Sequence, residues 1–270
     1  MSKFRTVEIS DPRFEANNLR HITIKSKNLK HRGDISVFVP PGEDHKNLPI
    51  VLLLHGVYGS HWIWSQKTGI HLKMKSWIEN KQVSPMILVM PSDGLWGDGS
   101  GYLPHNHSDF EQWIAEDVID ATIELIPQAS KTSLLFITGL SMGGFGALRI
   151  GTKYGYKFSG VSGLSSITRL NEMKKFIEED LSLLKQDIIE NESVFETIMK
   201  HKKHLPKFRF DCGTSDSLLE GNRKLHHQLE EQGISHIYRE YPGGHEWPYW
   251  EEHIKDTIHF FDDIINPKNR

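Results

Sequence analysis

Leu134–Gly144 reads LLFITGLSMGG, and this stretch decides the fold. Leu134–Ile137 is a short continuous apolar run of the kind buried on both faces in a parallel sheet. Gly139-Leu140-Ser141-Met142-Gly143 follows at once, and from about Gly143 to Tyr154 the apolar spacing is helical. A Gly-x-Ser-x-Gly match alone arises by chance roughly one time in ten in a chain of this size. Its position between a strand and a helix is what gives it weight. Such a sharp turn holds the serine in strained backbone geometry, with glycines where neighbouring side chains would collide. Ser141 is therefore the candidate nucleophile. The plain alternative is a serine that only caps the helix.

Working outward, Ile50–Leu54 (IVLLL) and Met86–Met90 (MILVM) repeat the continuous apolar run. His21–Ser26 and Asp34–Val39 alternate as strands with one wet face. Downstream, Gly160–Leu164, Phe208–Cys212 and His236–Tyr241 read as further strands. Helical spacing fills Ile70–Ile78, Phe110–Ile126, about Leu218–Gln232 and about Tyr249–Ile265. Strand and helix alternate, which predicts one α/β domain over residues 1–270: a mostly parallel, doubly wound sheet with right-handed crossovers. Thr168–His204 is longer and more charged than a crossover needs, and its pattern predicts a small helical insertion.

A serine nucleophile on such a turn needs a carboxylate and then a histidine later in the chain. Phe208–Cys212 runs into Gly213-Thr214-Ser215-Asp216, which places Asp216 just past a buried strand end. Asp211 is the rival, but strand alternation turns it away from that edge. His236–Tyr241 runs into Pro242-Gly243-Gly244-His245, where a glycine-rich loop can bring His245 beside Ser141 as general base. The alkoxide formed on attack needs two fixed donors. The main-chain N–H of Met142, next to the serine, is one. The other is that of Val57, in the His55-Gly56-Val57-Tyr58-Gly59 loop after the Ile50 strand. His55 itself reads as a core histidine bonding the loop backbone.

The 16 histidines offer few other sites. His105-Asn106-His107-Ser108-Asp109 has the look of a metal cluster, but no later histidine completes it, so a solvated loop beside the pocket mouth is expected and no metal or cofactor. His201, His204, His226 and His227 read as exposed helix faces or ends. Trp62, Trp64, Trp96 and Trp247 lie near the motif loops and are candidate substrate contacts. The 32 basic and 35 acidic residues are interspersed, leaving no footprint for nucleic acid. Cys212 is alone, so no internal disulfide forms. The start MSKFRTVEISDPRF lacks the apolar stretch of a signal peptide, and no run of about 18 apolar residues is present, so the expectation is a cytoplasmic protein without a membrane span.

Taken together, HGVYGSHWIW (55–64), ILVMPSDG (87–94), GLSMGGFGALRI (139–150), CGTSDSLLEGNRKLHHQL (212–229) and YPGGHEWPYW (241–250) resemble the esterase D-like branch of the α/β-hydrolases. That branch includes S-formylglutathione hydrolases, feruloyl and acetyl-xylan esterases, tributyrin esterases and mycolyltransferases. The resemblance implies the α/β-hydrolase fold, a Ser141–His245–Asp216 triad and hydrolysis of carboxylic esters without a cofactor. It implies a small-molecule or acylated-sugar substrate with a short or aryl acyl group. The alternatives are a thioesterase of the S-formylglutathione hydrolase type, an acyltransferase, or a non-catalytic binding protein. S-formylglutathione hydrolases carry Ser-Gly-Leu-Thr-Cys where this chain has HGVYGSH, and Trp96–Trp113 and Thr168–His204 also depart from the group.

Overall fold

The computed structural model describes residues 2–42 and 45–267. Its strands are β1 (Val7–Ile9), β2 (Leu19–Lys25), β3 (Arg32–Phe38), β4 (Ile50–Leu54), β5 (Ile87–Pro91), β6 (Pro104–His105), β7 (Ser108–Asp109), β8 (Leu135–Leu140), β9 (Phe158–Leu164), β10 (Lys207–Gly213) and β11 (Ile237–Tyr241). Nine of them form one sheet in the order β1-β2-β3-β5-β4-β8-β9-β10-β11. β1, β2 and β3 join antiparallel, as does β3 to β5, and every pairing from β5 to β11 is parallel. This is the α/β-hydrolase fold. β8, which carries the serine motif at its end, lies in the parallel part between β4 and β9.

Period-two alternation divides the core between the two faces of the sheet. On β4, Ile50, Leu52 and Leu54 join one apolar cluster, while Val51 and Leu53 join the other. The first face is covered by α5 (Met142–Lys153), α6 (Val194–His201), α7 (Leu219–Glu231) and the Phe110–Leu125 segment. That segment is α3 (Phe110–Gln112) and α4 (Ile119–Leu125) joined by a π-helical turn, Trp113–Val118. The second face is covered by α1 (Ile63–Thr68), α2 (Ile70–Glu79) and α8 (Trp247–Ile265). α8 starts two residues earlier than the spacing predicts because Pro248 suits a first helical turn, where its missing N–H costs nothing.

The insertion is less helical than its pattern suggests. Between Thr168 and His204 only α6 is an α-helix, and the rest is short 3-10 turns at Leu170–Lys175, Leu181–Leu183, Ile189–Glu192 and Lys202–His204. Met173, Ile177 and Leu184 are each buried in the core, so the chain bends to deliver them separately. No piece reaches the dozen or so residues at which a helix sustains itself. Among the described residues, no helix is long and apolar enough to cross a membrane.

Candidate active site

The turn at the end of β8 is tight enough to dictate its composition. A Cβ on Gly139 would lie 2.3 Å from the Gly143 carbonyl oxygen, and one on Gly143 would lie 2.3 Å from that of Leu54. Only glycine permits this crossing of β8, β4 and the start of α5. Ser141 sits between them at φ 53° and ψ −120°, a conformation non-glycine residues rarely adopt. Strain of this kind costs roughly 1–3 kcal/mol and persists where surroundings enforce it. Here Ser141 N–H donates to Leu164 O, and its carbonyl accepts from Phe145 and Ile167. The Ser141 side chain makes no capping hydrogen bond to α5, so the capping alternative does not hold.

Its Oγ instead lies 2.9 Å from His245 Nε2, and His245 Nδ1 lies 2.8 Å from Asp216 Oδ2. A carboxylate only accepts, so the imidazole proton sits on Nδ1 and Nε2 is left to receive the Ser141 hydroxyl proton. Three residues spread over 104 positions of sequence thus form one linear relay. Asp216 is buried, which on its own would raise its carboxyl pKa. The His245 ring and the Leu218 N–H, 2.8 Å from Oδ1, outweigh that and hold it below the usual carboxylate range. Asp211 is elsewhere: it accepts from Tyr249 OH at 2.8 Å and pairs with Arg209 at 3.0 Å. Cys212, on the same strand, is buried, and its thiol pKa is pushed well above the ordinary value, so it offers no rival nucleophile.

The Val57 loop lies against Ser141, since a Cβ on Gly56 would come within 3.4 Å of Ser141 Cβ. Among the described residues, neither the Val57 nor the Met142 N–H donates to another backbone group outside its own helix. Met142 also opens α5, whose N-terminus carries partial positive charge. An oxyanion needs two fixed donors, and these two N–H groups are the candidates. His55 holds this loop from below: its Nδ1–H donates to Gly56 O at 2.7 Å, and its Nε2 accepts from Asp93 N–H at 3.0 Å. The buried Asp93 then accepts from Leu95 and Ser100 N–H. The core reading of His55 fits this geometry.

A second set of contacts has no local sequence signal. Tyr58, at φ 58°, donates its N–H to Asp98 O, and its hydroxyl reaches both Asp98 Oδ2 at 3.2 Å and Phe176 O at 2.8 Å. Asp98 Oδ2 also accepts from Glu178 N–H, which keeps its carboxyl pKa low. One carboxylate therefore ties the 55–59 loop, the 94–101 loop and the insertion together. What it positions is Phe176, whose ring stacks on His245 at 4.7 Å and 23°. Trp250 packs edge-on against the same imidazole at 5.0 Å.

The four tryptophans separate. Trp64 is 1% exposed and donates its indole N–H to Leu54 O, which leaves it no face for a ligand and corrects its reading as a substrate contact. Trp62 is 42% exposed at the start of α1. Trp96 stands edge-on to His105 at 4.6 Å. Trp247 packs between Trp64 and Trp250, so it supports the His245 side without touching the imidazole in the way Trp250 does. His105 is not solvated either: it lies between Trp96 and Phe110, and its Nε2–H donates to Ser100 O. Asp109 caps α3 through Gln112 N–H, so His105 and Asp109 are committed to structure, while Asn106 and His107 are exposed.

Asp216 and Glu111 give the chain a defined acid limit. Burial opposes the charge of Glu111, but Arg149 at 2.9 Å and Lys153 at 2.7 Å lower its pKa. A carboxyl whose folded pKa lies below its unfolded one contributes stability above the unfolded value and loses it as pH falls through the folded value. The melting temperature is thus expected to hold down to about pH 4–4.5, the ordinary carboxylate range, and to fall steeply below it. A pH series of thermal melts checks this; a decline already complete above that range would contradict it.

The sequence matches the family described as "Putative esterase" over residues 26–261. An acetyl esterase from Caldicellulosiruptor saccharolyticus is 27% identical over 91% of this chain and 98% of its own length. Among solved structures, a ferulic acid esterase superposes with a TM-score of 0.78 at 22% identity, covering 98% of this chain and all of that one. An S-formylglutathione hydrolase from Staphylococcus aureus reaches 0.76 at 19% identity, over 97% of this chain and all of its own. At these identities the two structures speak to the fold. The family match spans most of the chain, and the protein belongs to this family of esterases.

Proposed function

We propose that the protein is a serine carboxylesterase that hydrolyses short-chain or aryl-acyl esters, acyl groups on sugars among them, through an acyl-enzyme on Ser141. The observation that carries this reading is the Ser141–His245–Asp216 relay, with hydrogen-bond distances of 2.9 and 2.8 Å, on a serine held at positive φ. His245 takes the hydroxyl proton as Oγ attacks the acyl carbon, and Asp216 stabilises the resulting imidazolium. The N–H groups of Val57 and Met142 receive the developing oxyanion. The proton then passes from His245 to the leaving alcohol. Water enters, gives a proton to His245 and releases the acid by the same steps reversed. No cofactor is needed at any step.

The rings of Phe176 and Trp250 flanking His245, with Ser141 only 2% exposed, favour small or flat acyl groups over long flexible chains. The acetyl esterase relative points the same way. A panel of p-nitrophenyl acetate, butyrate and octanoate with S-formylglutathione tests this. The kcat/KM on octanoate is expected to be at least about tenfold below that on acetate. Asp98→Ala, which releases Phe176 from its anchor, is expected to narrow that ratio. Octanoate turned over as fast as acetate would defeat the short-acyl reading. S-formylglutathione preferred over every ester would make the protein a thioesterase.

A further inference from the structure

His226 and His227 are not simply an exposed helix face. His226 is half-buried on α7, where the i, i+4 spacing puts Glu230 on its side of the helix and His227 lies three residues before it. His226 Nε2 lies 3.4 Å from Glu230 Oε2, and His227 Nδ1 lies 3.5 Å from the same oxygen. All three donor atoms fall within 4.8 Å of one another. A tetrahedral zinc ion with bonds of about 2.0–2.1 Å separates its ligands by about 3.3–3.4 Å. The two spacings to Glu230 Oε2 are close to that edge length.

The second observation comes from β11 and the turn before it. His236 Nδ1 lies 2.8 Å from Ile234 O, and His236 Nε2 lies 2.8 Å from His226 Nδ1. A carbonyl only accepts, so His236 carries its proton on Nδ1 and its Nε2 accepts from His226 Nδ1–H. This turns His226 Nε2 toward the Glu230 carboxylate. Metal-binding histidines are oriented by a hydrogen bond on the far nitrogen in this way. The ring is also fixed by stacking on Tyr238 at 4.7 Å. The nearby cation Arg223 is already paired with Glu240.

We propose that His226, His227 and Glu230 form a surface site for a divalent transition-metal ion, with Zn2+ matching the two-nitrogen, one-oxygen donor set. The fourth position is open to water. The site is separate from Ser141 and requires nothing of the esterase reaction. Its occupation would cross-link the last two turns of α7.

Titration calorimetry of the whole chain with ZnCl2 alone, near neutral pH, tests this. One ion is expected to bind at this site. His227→Ala and Glu230→Gln, both at exposed positions that leave the fold intact, are each expected to weaken it at least about tenfold. His236→Phe, which removes the orienting acceptor together with the Nδ1–H donor to Ile234 O, is expected to weaken binding by about 10–100-fold. Turnover of p-nitrophenyl acetate by His227→Ala is expected to match the parent. Failure of the wild-type chain to bind an equivalent of Zn2+, or binding unchanged in the His227→Ala/Glu230→Gln double variant, would overturn the site.

Discussion

Ser141→Ala is expected to lower kcat on p-nitrophenyl acetate by about 10⁵–10⁶-fold. Removing Oγ deletes the atom that would carry the acyl group, and nothing nearby replaces it: Cys212 is buried with its thiol pKa raised, and Asp211 is committed to Tyr249 and Arg209. The backbone donors of Val57 and Met142 survive the substitution. A residual rate about 10³–10⁴-fold above water is therefore expected where only an oxyanion site and binding operate. The fold should barely notice. The side chain contributes one hydrogen bond to His245 and none to α5. A net loss of about 1 kcal/mol shifts the melting temperature by no more than about 4 °C. A variant inactive because it is unfolded would show as a collapsed melting curve. One that retains most of its turnover would remove Ser141 from the chemistry.

The largest expected effect on stability lies away from Ser141, at Glu111→Gln. Arg149 on α5 is fully buried, and its partner is Glu111, which Lys153 and Tyr154 OH also contact at 2.7 and 2.8 Å. Among the described residues, Arg149 Nε and Nη1 have no hydrogen-bond partner, so the guanidinium depends on that carboxylate and on the face of Phe145 at 5.0 Å. Glutamine keeps the shape and removes the charge. A buried cation without its counter-charge costs about 3–5 kcal/mol, on the order of 10 °C in melting temperature for a domain of this size. Replacing both partners with apolar residues, Glu111→Leu with Arg149→Met, should cost much less, because no charge is then left buried. Thermal melts of the single and double variants decide between these. Equal losses in both would mean that packing, not charge, holds α5. The consequence reaches the site, because α5 begins at the residue after Ser141.

The catalytic candidates are legible in sequence because each sits on a turn at a strand end, where glycine and proline leave local marks. GLSMG, HGVYG, GTSD and PGGH all have that form, and the parallel sheet gathers the ends of β4, β8, β10 and β11 along one edge. The elbow's glycines are visible for the same reason: the crossing with β4 forbids any Cβ. What stays hidden depends on distant partners. Tyr58 meets Asp98 and Phe176 across 40 and 118 residues, and no short pattern encodes such a meeting. Helical spacing in Thr168–His204 misleads because the core, not helix propensity, dictates where Met173, Ile177 and Leu184 go. Trp64 looks like a pocket residue by its nearness to HGVYG, yet alternate burial turns it inward onto Leu54. Of the two aspartates, Asp216 lies beside His245, while Asp211 is committed to Tyr249 and Arg209.

The account rests on Ser141 being an activated nucleophile, and a fluorophosphonate probe followed by peptide mapping tests this most directly. One adduct per chain on Ser141 is expected, absent from Ser141→Ala and strongly reduced in His245→Ala. A folded wild-type chain that stays unlabelled, or that carries its adduct on any other residue, would contradict it.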